Sequence, residues 1–351
     1  MSSSSLIRVL LYTGPPTEND RVVPSRQLAV GLTPMETRRP VVLHVAERAE
    51  ALGYDAFFVA EGWGHDAGVL LAEVATRTDR ISIGTGVLNV WGRTPATIAM
   101  LATSLAEASA DRFVLGLGAG SPPLAEGLHD VEFAEPVQRL AAVTRQVRRL
   151  LNGQRLDATV ERDNRPLKLA LTPEREIPIH LAALAPHSVR LAGELADGWA
   201  PFLLPLTGLD PSLRLLREGA ARSGPNRPLP LIAPCVPAAV STDPAKALGM
   251  ASWWVAFYLT SMGPLYRQTL LRLGHGRAVE EVLAANPTRG TFEVPESARV
   301  LLDELTLWGD PEQAAQGLDR WYAAGAQMPT VVLPPGRPVE ELDQMLEALC
   351  A

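Results

Sequence analysis

The chain has 351 residues, 47% of them hydrophobic, and a formal net charge of −7. That composition belongs to a globular chain with a sizeable core, and the acidic balance with no basic face excludes a nucleic-acid backbone as a natural partner. Its two cysteines, Cys235 and Cys350, lack any ligand spacing, which excludes a disulfide scaffold and a cysteine zinc site.

Residues 1–5 are polar, lack the pattern of a secretory signal, and run straight into a strand-like apolar stretch at 7–12. No apolar run reaches the length of a membrane span. The expectation is a soluble cytoplasmic protein. Short β-rich runs then alternate with longer helical stretches, the mark of a parallel α/β fold. Residues 7–12 read as strand one and 40–52 as helix one, closed by Gly53. Residues 55–60 (DAFFVA) are nearly all apolar, as a strand covered on both faces should be. A helix near 67–76 leads to strand three at 80–85. Thr94-Pro95 opens the next helix, Thr as cap and Pro at the first helical position. Strand four is 112–116, and Pro136 starts a long helix.

A polar excursion at about 152–172 reads as an insertion with a small hairpin. Strand five is 178–182, its helix 187–195, and strand six 197–201. A helix near 211–222 and the run 229–240 supply the next pair. Residues from about 244 to 304 are mostly helical and too many for one barrel helix, so part of them should cover the barrel mouth. Asp310 to Gln313 has the character of a capping box. Residues 329–333 and 339–349 are the last strand and helix. Eight strand–helix units make a (β/α)8 TIM barrel, one domain over 1–351.

In such barrels the chemistry lies beyond the C-terminal ends of the strands. After strand two come Glu61-Gly62-Trp63-Gly64-His65-Asp66. These bring a carboxylate, an indole and an imidazole together beside flexible backbone. Asp66 reads equally as the cap of the following helix, and Trp63 as packing. After strand three, Gly84 to Arg93 (GTGVLNVWGR) allows a bulge or close approach of backbone to a ligand, or is an ordinary loop. After strand four, Gly116, Gly118 and Gly120 alternate and offer backbone N–H groups to a phosphate or planar ring. No helix is expected directly after them, because two prolines follow. After strand five, Ala183-Leu184-Ala185-Pro186 enters a helix whose first N–H groups suit an anion. His129 follows the glycine loop and is placed at the cleft. His180 should point into the barrel, while His44 and His275 read as structural or surface. No spacing suggests a metal.

Three segments, RISIGTGVLNVWGRTPATIAMLATSLAEAS (80–109), DRFVLGLGAGSPP (111–123) and IPIHLAALAPHSVRLAGELADGWAPFLLP (177–205), carry a resemblance. WWVAFYLTSMGPLYRQTLLRLG (253–274) adds to it. Together they resemble the luciferase-like monooxygenase superfamily, and within it the branch that uses the deazaflavin coenzyme F420, which includes methylenetetrahydromethanopterin reductase.

The resemblance implies a ring held at the barrel mouth against a bulge with a cis peptide at Gly86–Val87, with Asn89 nearby. It places the cofactor's phosphate tail on Gly118, Gly120, Ala183, Leu184 and Ala185. Trp63, Trp91 and His129 then fall to the substrate pocket, together with the atypical segment 14–39. Many relatives carry Asp-His after strand two. Here Glu61 and His65 stand in another order, and His65 is the first choice of proton donor, Glu61 the second. The expected activity is hydride transfer between F420 and a small organic substrate, with a homodimer as the working form.

The alternative cofactor is flavin mononucleotide (FMN), serving a monooxygenase. A barrel using Schiff-base chemistry is disfavoured because the two lysines, Lys168 and Lys246, lie in the excursion and a late helix. A non-catalytic binding or dimerisation barrel is the reading from another class.

Overall fold

The structure is a computed structural model that describes residues 26–157, 165–288 and 290–350. Its elements alternate along the chain. In order they are β1 (Ala29–Leu32), α1 (Arg39–Leu52), β2 (Ala56–Val59), α2 (Ala67–Arg77), β3 (Ser82–Thr85), β4 (Leu88–Asn89), α3 (Pro95–Ala108), β5 (Phe113–Gly118) and α4 (Pro122–Ala125). They continue with α5 (Pro136–Leu151), β6 (Ile179–Ala182), α6 (Pro186–Leu195), β7 (Gly198–Trp199), α7 (Leu209–Arg222), β8 (Leu231–Ile232) and β9 (Cys235–Val240). Then come α8 (Pro244–Ser261), α9 (Pro264–Arg272), α10 (Gly276–Ala285), α11 (Val300–Leu305), β10 (Leu307–Gly309), α12 (Pro311–Ala324), β11 (Thr330–Leu333) and α13 (Val339–Cys350).

All the strand pairs are parallel. From β1 the sheet runs through β2, β3, β5, β6 and β7 to β8. The run of β8 and β9 closes it. β8 pairs with β7, Cys235 bridges Phe202, and β9 pairs with β11, which returns to β1. The result is the expected α/β barrel.

Two cores form. The larger fills the space between sheet and helices. A smaller one, Ala29, Ala56, Phe58, Ala233 and Met328, fills the inside of the barrel. Phe58 of this core and the buried His180 beside it fit because glycine faces them. A Cβ at Gly84 would stand 2.6 Å from Phe58 Cε1, and one at Gly198 would stand 2.3 Å from His180 Cδ2. His180 therefore points inward as expected, its ring centroid 6.1 Å from that of Phe58.

The cap signals hold. Asp66 Oδ1 accepts from Val69 N at 3.1 Å, Thr94 Oγ1 from Thr97 N at 3.2 Å, and Asp310 and Gln313 form a full capping box. Gly53 closes α1 with φ 88°.

Several expectations need correction. Residues 7–12 lie outside the described residues, and the strand that precedes α1 is Ala29–Leu32, inside the segment read as a loop. This four-residue strand is buried on both faces and so carries no alternation to reveal it. A short helix, α4, does begin right after the glycine loop. Both prolines sit in its first turn, where a missing N–H costs nothing.

Leu88–Asn89 and Leu307–Gly309 are additional short strands that pair with β5 and β9. In the insertion, Leu156 N donates to Leu167 O at 3.1 Å and ties the two arms, but no strand forms among the described residues. Residues 244–304 contain α8 to α11. From among them Arg272 reaches the loop after β6, where its guanidinium donates to Leu184 O at 2.8 Å.

Candidate active site

Side chains on the strands alternate, so the inward positions can be followed upward from the interior core. Above Phe58 and His180 they are small: Ala60, Gly86, Gly118, Ala182 and Ala200. Gly86 is exposed and Ala60, Ala182 and Ala200 are half-buried, although all belong to strand ends. A well therefore opens at the C-terminal end of the barrel because side chains that would fill it are missing. A Cβ at Gly118 would stand 2.7 Å from Val87 Cγ2, so that approach requires glycine. The Gly86–Val87 peptide is cis. Such a floor accommodates a planar ring.

The loop after β2 forms one rim. Glu61 Oε2 accepts from Ala67 N at 3.0 Å and from Arg93 Nη2 at 2.8 Å. Arg93 also donates to Asp66 Oδ2 at 2.6 Å. One guanidinium thus clamps both carboxylates of the loop and joins it to the segment after β4. Glu61, foremost, raises Arg93 above its usual value, against burial and with help from Asp66. Burial alone would raise the Asp66 carboxyl. The hydrogen bonds from Arg93 and the Val69 amide outweigh it and hold the group below its usual range.

His65 Nε2 lies 2.9 Å from Thr37 O. Donation to that carbonyl fixes the ring with Nδ1 unprotonated in the neutral form. Glu61 is held by Arg93 and Ala67 and does not orient His65. Gly62 and Gly64 press on Pro34, where added Cβ atoms would stand 2.7 Å from its Cγ and 2.8 Å from its carbonyl oxygen. Trp63, between them, remains 50% exposed at the rim.

The loops after β3 and β5 are stitched together by residues expected to touch ligands. Asn89 is buried, and its Oδ1 accepts from Trp91 N at 3.0 Å and Gly92 N at 2.9 Å. Its Nδ2 stands 3.2 Å from His129 Nε2. Trp91 is buried too, and its Nε1 donates to Ala119 O at 2.6 Å. The structure thus gives Asn89 and Trp91 the work of holding these loops, with His129 pressed against Gly92.

After β6, Ala183 O accepts from Trp199 Nε1 at 2.9 Å, and Ala185 caps α6. Arg272 lies beside this helix start and adds a positive charge that sequence reading did not assign. Since Pro122 and Pro123 bring no N–H, donors from the glycine loop to an anion have to come from residues 119–121.

Two further features escaped the sequence. Glu36 is buried and locks the loop after β1 to the loop after β11. It accepts from Arg38 and, at 3.0 Å, from Gly336 N. Thr33, one residue past β1, is buried and its Oγ1 has no hydrogen-bond partner. A cleft of about 590 Å³ lies far from all of this. It is lined by Arg148, Lys168 and Arg175 where the chain approaches β6, at the other end of the barrel.

The parallel sheet closed on itself with helices outside defines the class of α/β barrels, and comparison with known proteins assigns the family. The chain belongs to the luciferase-like monooxygenase family, which it matches over residues 23–328. It is 30% identical over 318 residues to a Mycobacterium tuberculosis protein named as a coenzyme F420-dependent oxidoreductase, covering 84% of this chain and 91% of that one. The coenzyme F420-dependent tetrahydromethanopterin reductase of Methanopyrus kandleri superposes with a TM-score of 0.75 at 19% identity, covering 92% and 97% of the two chains. The oxygenating constituent of 3,6-diketocamphane monooxygenase of Pseudomonas putida, solved with FMN, superposes with a TM-score of 0.69 at 16% identity, covering 92% and 97%. These structural likenesses concern the fold.

Proposed function

We propose that the barrel mouth binds the deazaflavin F420 and that the chain, as one barrel domain, transfers a hydride between reduced F420 and a C=C, C=N or C=O bond of a small organic substrate, or the reverse. The observation that carries this reading is the floor of small inward residues, Gly86, Gly118 and Ala182, beside partly exposed Val87. A tricyclic ring needs such a flat, side-chain-free seat with one face open. When bound, F420 supplies the hydride. The protein supplies placement, exclusion of water and a proton.

In this reading Gly86 and Val87 back the ring. Gly118, Gly120 and the start of α6 at Ala183, Leu184 and Ala185 face its phosphate-bearing tail, with Arg272 as counter-charge. Asn89, Trp91 and His129 keep the loops in place, and Trp63 meets the substrate at the rim. His65 carries the proton. Glu61 is held by Arg93 and shapes the polar edge.

Titration of the purified protein with oxidised F420 and with FMN, followed by absorbance and fluorescence, is expected to show at least tenfold tighter binding of F420. Tight FMN binding without F420 affinity would reverse the assignment toward a monooxygenase. Binding of neither would favour a barrel that is not an enzyme.

We further propose a homodimer through α2 and α3, which pack against each other and expose Val69 and Met100, 67% and 57% accessible. Light scattering should give twice the chain mass for the wild type and a monomer for the double variant Val69→Arg, Met100→Glu. A wild-type monomer at micromolar concentration would dismiss this assembly.

A further inference from the structure

We infer that Phe202, Cys235 and Tyr266 form the substrate side of the well, and that this wall takes an uncharged, largely apolar carbonyl compound, the Tyr266 hydroxyl donating to its oxygen. This rests on the reading of the mouth given above and narrows its substrate.

Two of the three side chains are placed by strand register. Gly198 and Ala233 face the barrel interior. The period of two brings Phe202 and Cys235 to the same side, nearer the mouth. The ladder reaches them: Ala233 N donates to Trp199 O at 2.9 Å, Cys235 N to Pro201 O at 2.8 Å, and Phe202 bridges Cys235. At the ends of β2, β3, β5 and β6 the inward positions are Ala60, Gly86, Gly118 and Ala182. The well is therefore bare on one side and lined by a phenyl ring and a thiol on the other.

α9 brings the third side chain. Its last residue, Arg272, donates to Leu184 O beyond β6, while the Tyr266 ring stands edge-on to Phe202 with centroids 6.2 Å apart. The helix thus crosses above the C-terminal ends of β6 and β7. Tyr258 and Trp254 of α8 pack behind Phe202, their centroids 4.9 and 6.2 Å from it.

The surrounding protein desolvates both polar groups of this wall. Burial pushes the Cys235 thiol up to about 12, against a hydrogen bond with Thr330, and raises the Tyr266 phenol above its usual value. Yet Phe202, Cys235 and Tyr266 all keep accessible surface. Deep enclosure combined with open surface marks a group that lines a well. The Tyr266 hydroxyl makes no hydrogen bond among the described residues, and it is not one of the sealed hydroxyls, those of Thr33, Thr144 and Thr269. A protonated phenol offers a hydrogen to a carbonyl oxygen. The wall offers no charge to a carboxylate or phosphate, whose lost hydration would go uncompensated. Arg267 follows Tyr266 in sequence and is turned about 100° from it round the helix. Arg272 is engaged with Leu184 O.

Methyl methanethiosulfonate, a small uncharged thiol reagent, tests the wall in the ligand-free Cys350→Ala protein, where Cys235 is the remaining thiol. The mixed disulfide is followed by mass spectrometry. Cys235 should be modified in the folded protein, and cyclohexanone should slow the reaction severalfold. Cyclohexanecarboxylate at equal concentration should leave the rate unchanged. Adding Tyr266→Phe should preserve the unprotected rate, which shows the wall in place, and raise the half-protecting cyclohexanone concentration by about fivefold to tenfold, the loss of one neutral hydrogen bond.

A thiol that reacts only after unfolding, or no protection by the ketone, would overturn the wall. Equal protection by ketone and carboxylate would overturn the selection against charge, and unaltered protection in Tyr266→Phe would overturn the hydrogen bond. Titration with F420 and FMN is read separately. If neither binds while the ketone protects as described, the cofactor reading fails and the uncharged pocket stands.

Discussion

Replacing His65 with alanine is expected to lower turnover at least about a hundredfold while leaving F420 affinity within about twofold. Hydride delivery to a polar double bond leaves a partner atom that must gain a proton. A positioned acid contributes about 10²–10⁴-fold to such a step. The structure narrows the donors on this rim. Glu61 has its carboxylate engaged by Ala67 N and by Arg93. Asp66 is held ionised, below its usual range, and occupied with capping α2. His65 is the titratable group of the loop with a ring nitrogen left over, once Nε2 is on Thr37 O. The check is stopped-flow absorbance of the deazaflavin with any substrate the wild type turns over, alongside equilibrium F420 binding. Unchanged turnover would remove His65 and leave water as the donor. A parallel loss of turnover and F420 affinity would mean that the ring helps hold the loop against Thr37 instead of moving a proton.

The parts of this site that were legible in the sequence are those written locally. A capping Asp or Thr, a proline at the first helical position and the glycines after β5 each announce themselves within a few residues. Apolar runs such as 55–60 give a strand and, with it, the loop that follows at the mouth. The parts that were not legible depend on partners far along the chain. Arg93 pairs with Glu61 across 32 positions, and Arg272 reaches Leu184 across 88. Neither side chain differs, in sequence, from an arginine on a solvated helix. Asn89 and Trp91 lie in a loop that sequence reading assigned to ligands, yet their polar atoms are spent on Gly92, His129 and Ala119.

The first strand shows the other limit. A four-residue parallel strand with a glycine in it has no periodicity, and the stronger apolar run at 7–12 drew the assignment away from it.

The layer beneath the well gives the second large effect, a loss of stability in mild acid that passes through His180. Burial pushes this imidazole down to about 4, the Asp197 carboxylate acting in the opposite direction. In the unfolded chain it titrates near 6.5. Between those values the unfolded state binds more protons than the folded one, so stability rises with pH and is lost as pH falls from about 6.5 toward about 4. A folded-state value below the unfolded one makes the neutral ring the stabilising form. At pH 4.5 the loss from this residue amounts to roughly 2.5 kcal/mol, from about 1.36 kcal/mol per pH unit over the window. Acidic side chains add their own losses, so the difference between proteins is the measure. Urea unfolding of wild type and His180→Leu at pH 7 and pH 4.5 should show the variant losing about 2.5 kcal/mol less than wild type between the two conditions. Equal losses would mean that His180 takes up its proton without cost to the barrel, against the desolvation that its buried seat beside Phe58 imposes. The same burial keeps the ring neutral at physiological pH, which on the proposed reading leaves the rim to supply the proton.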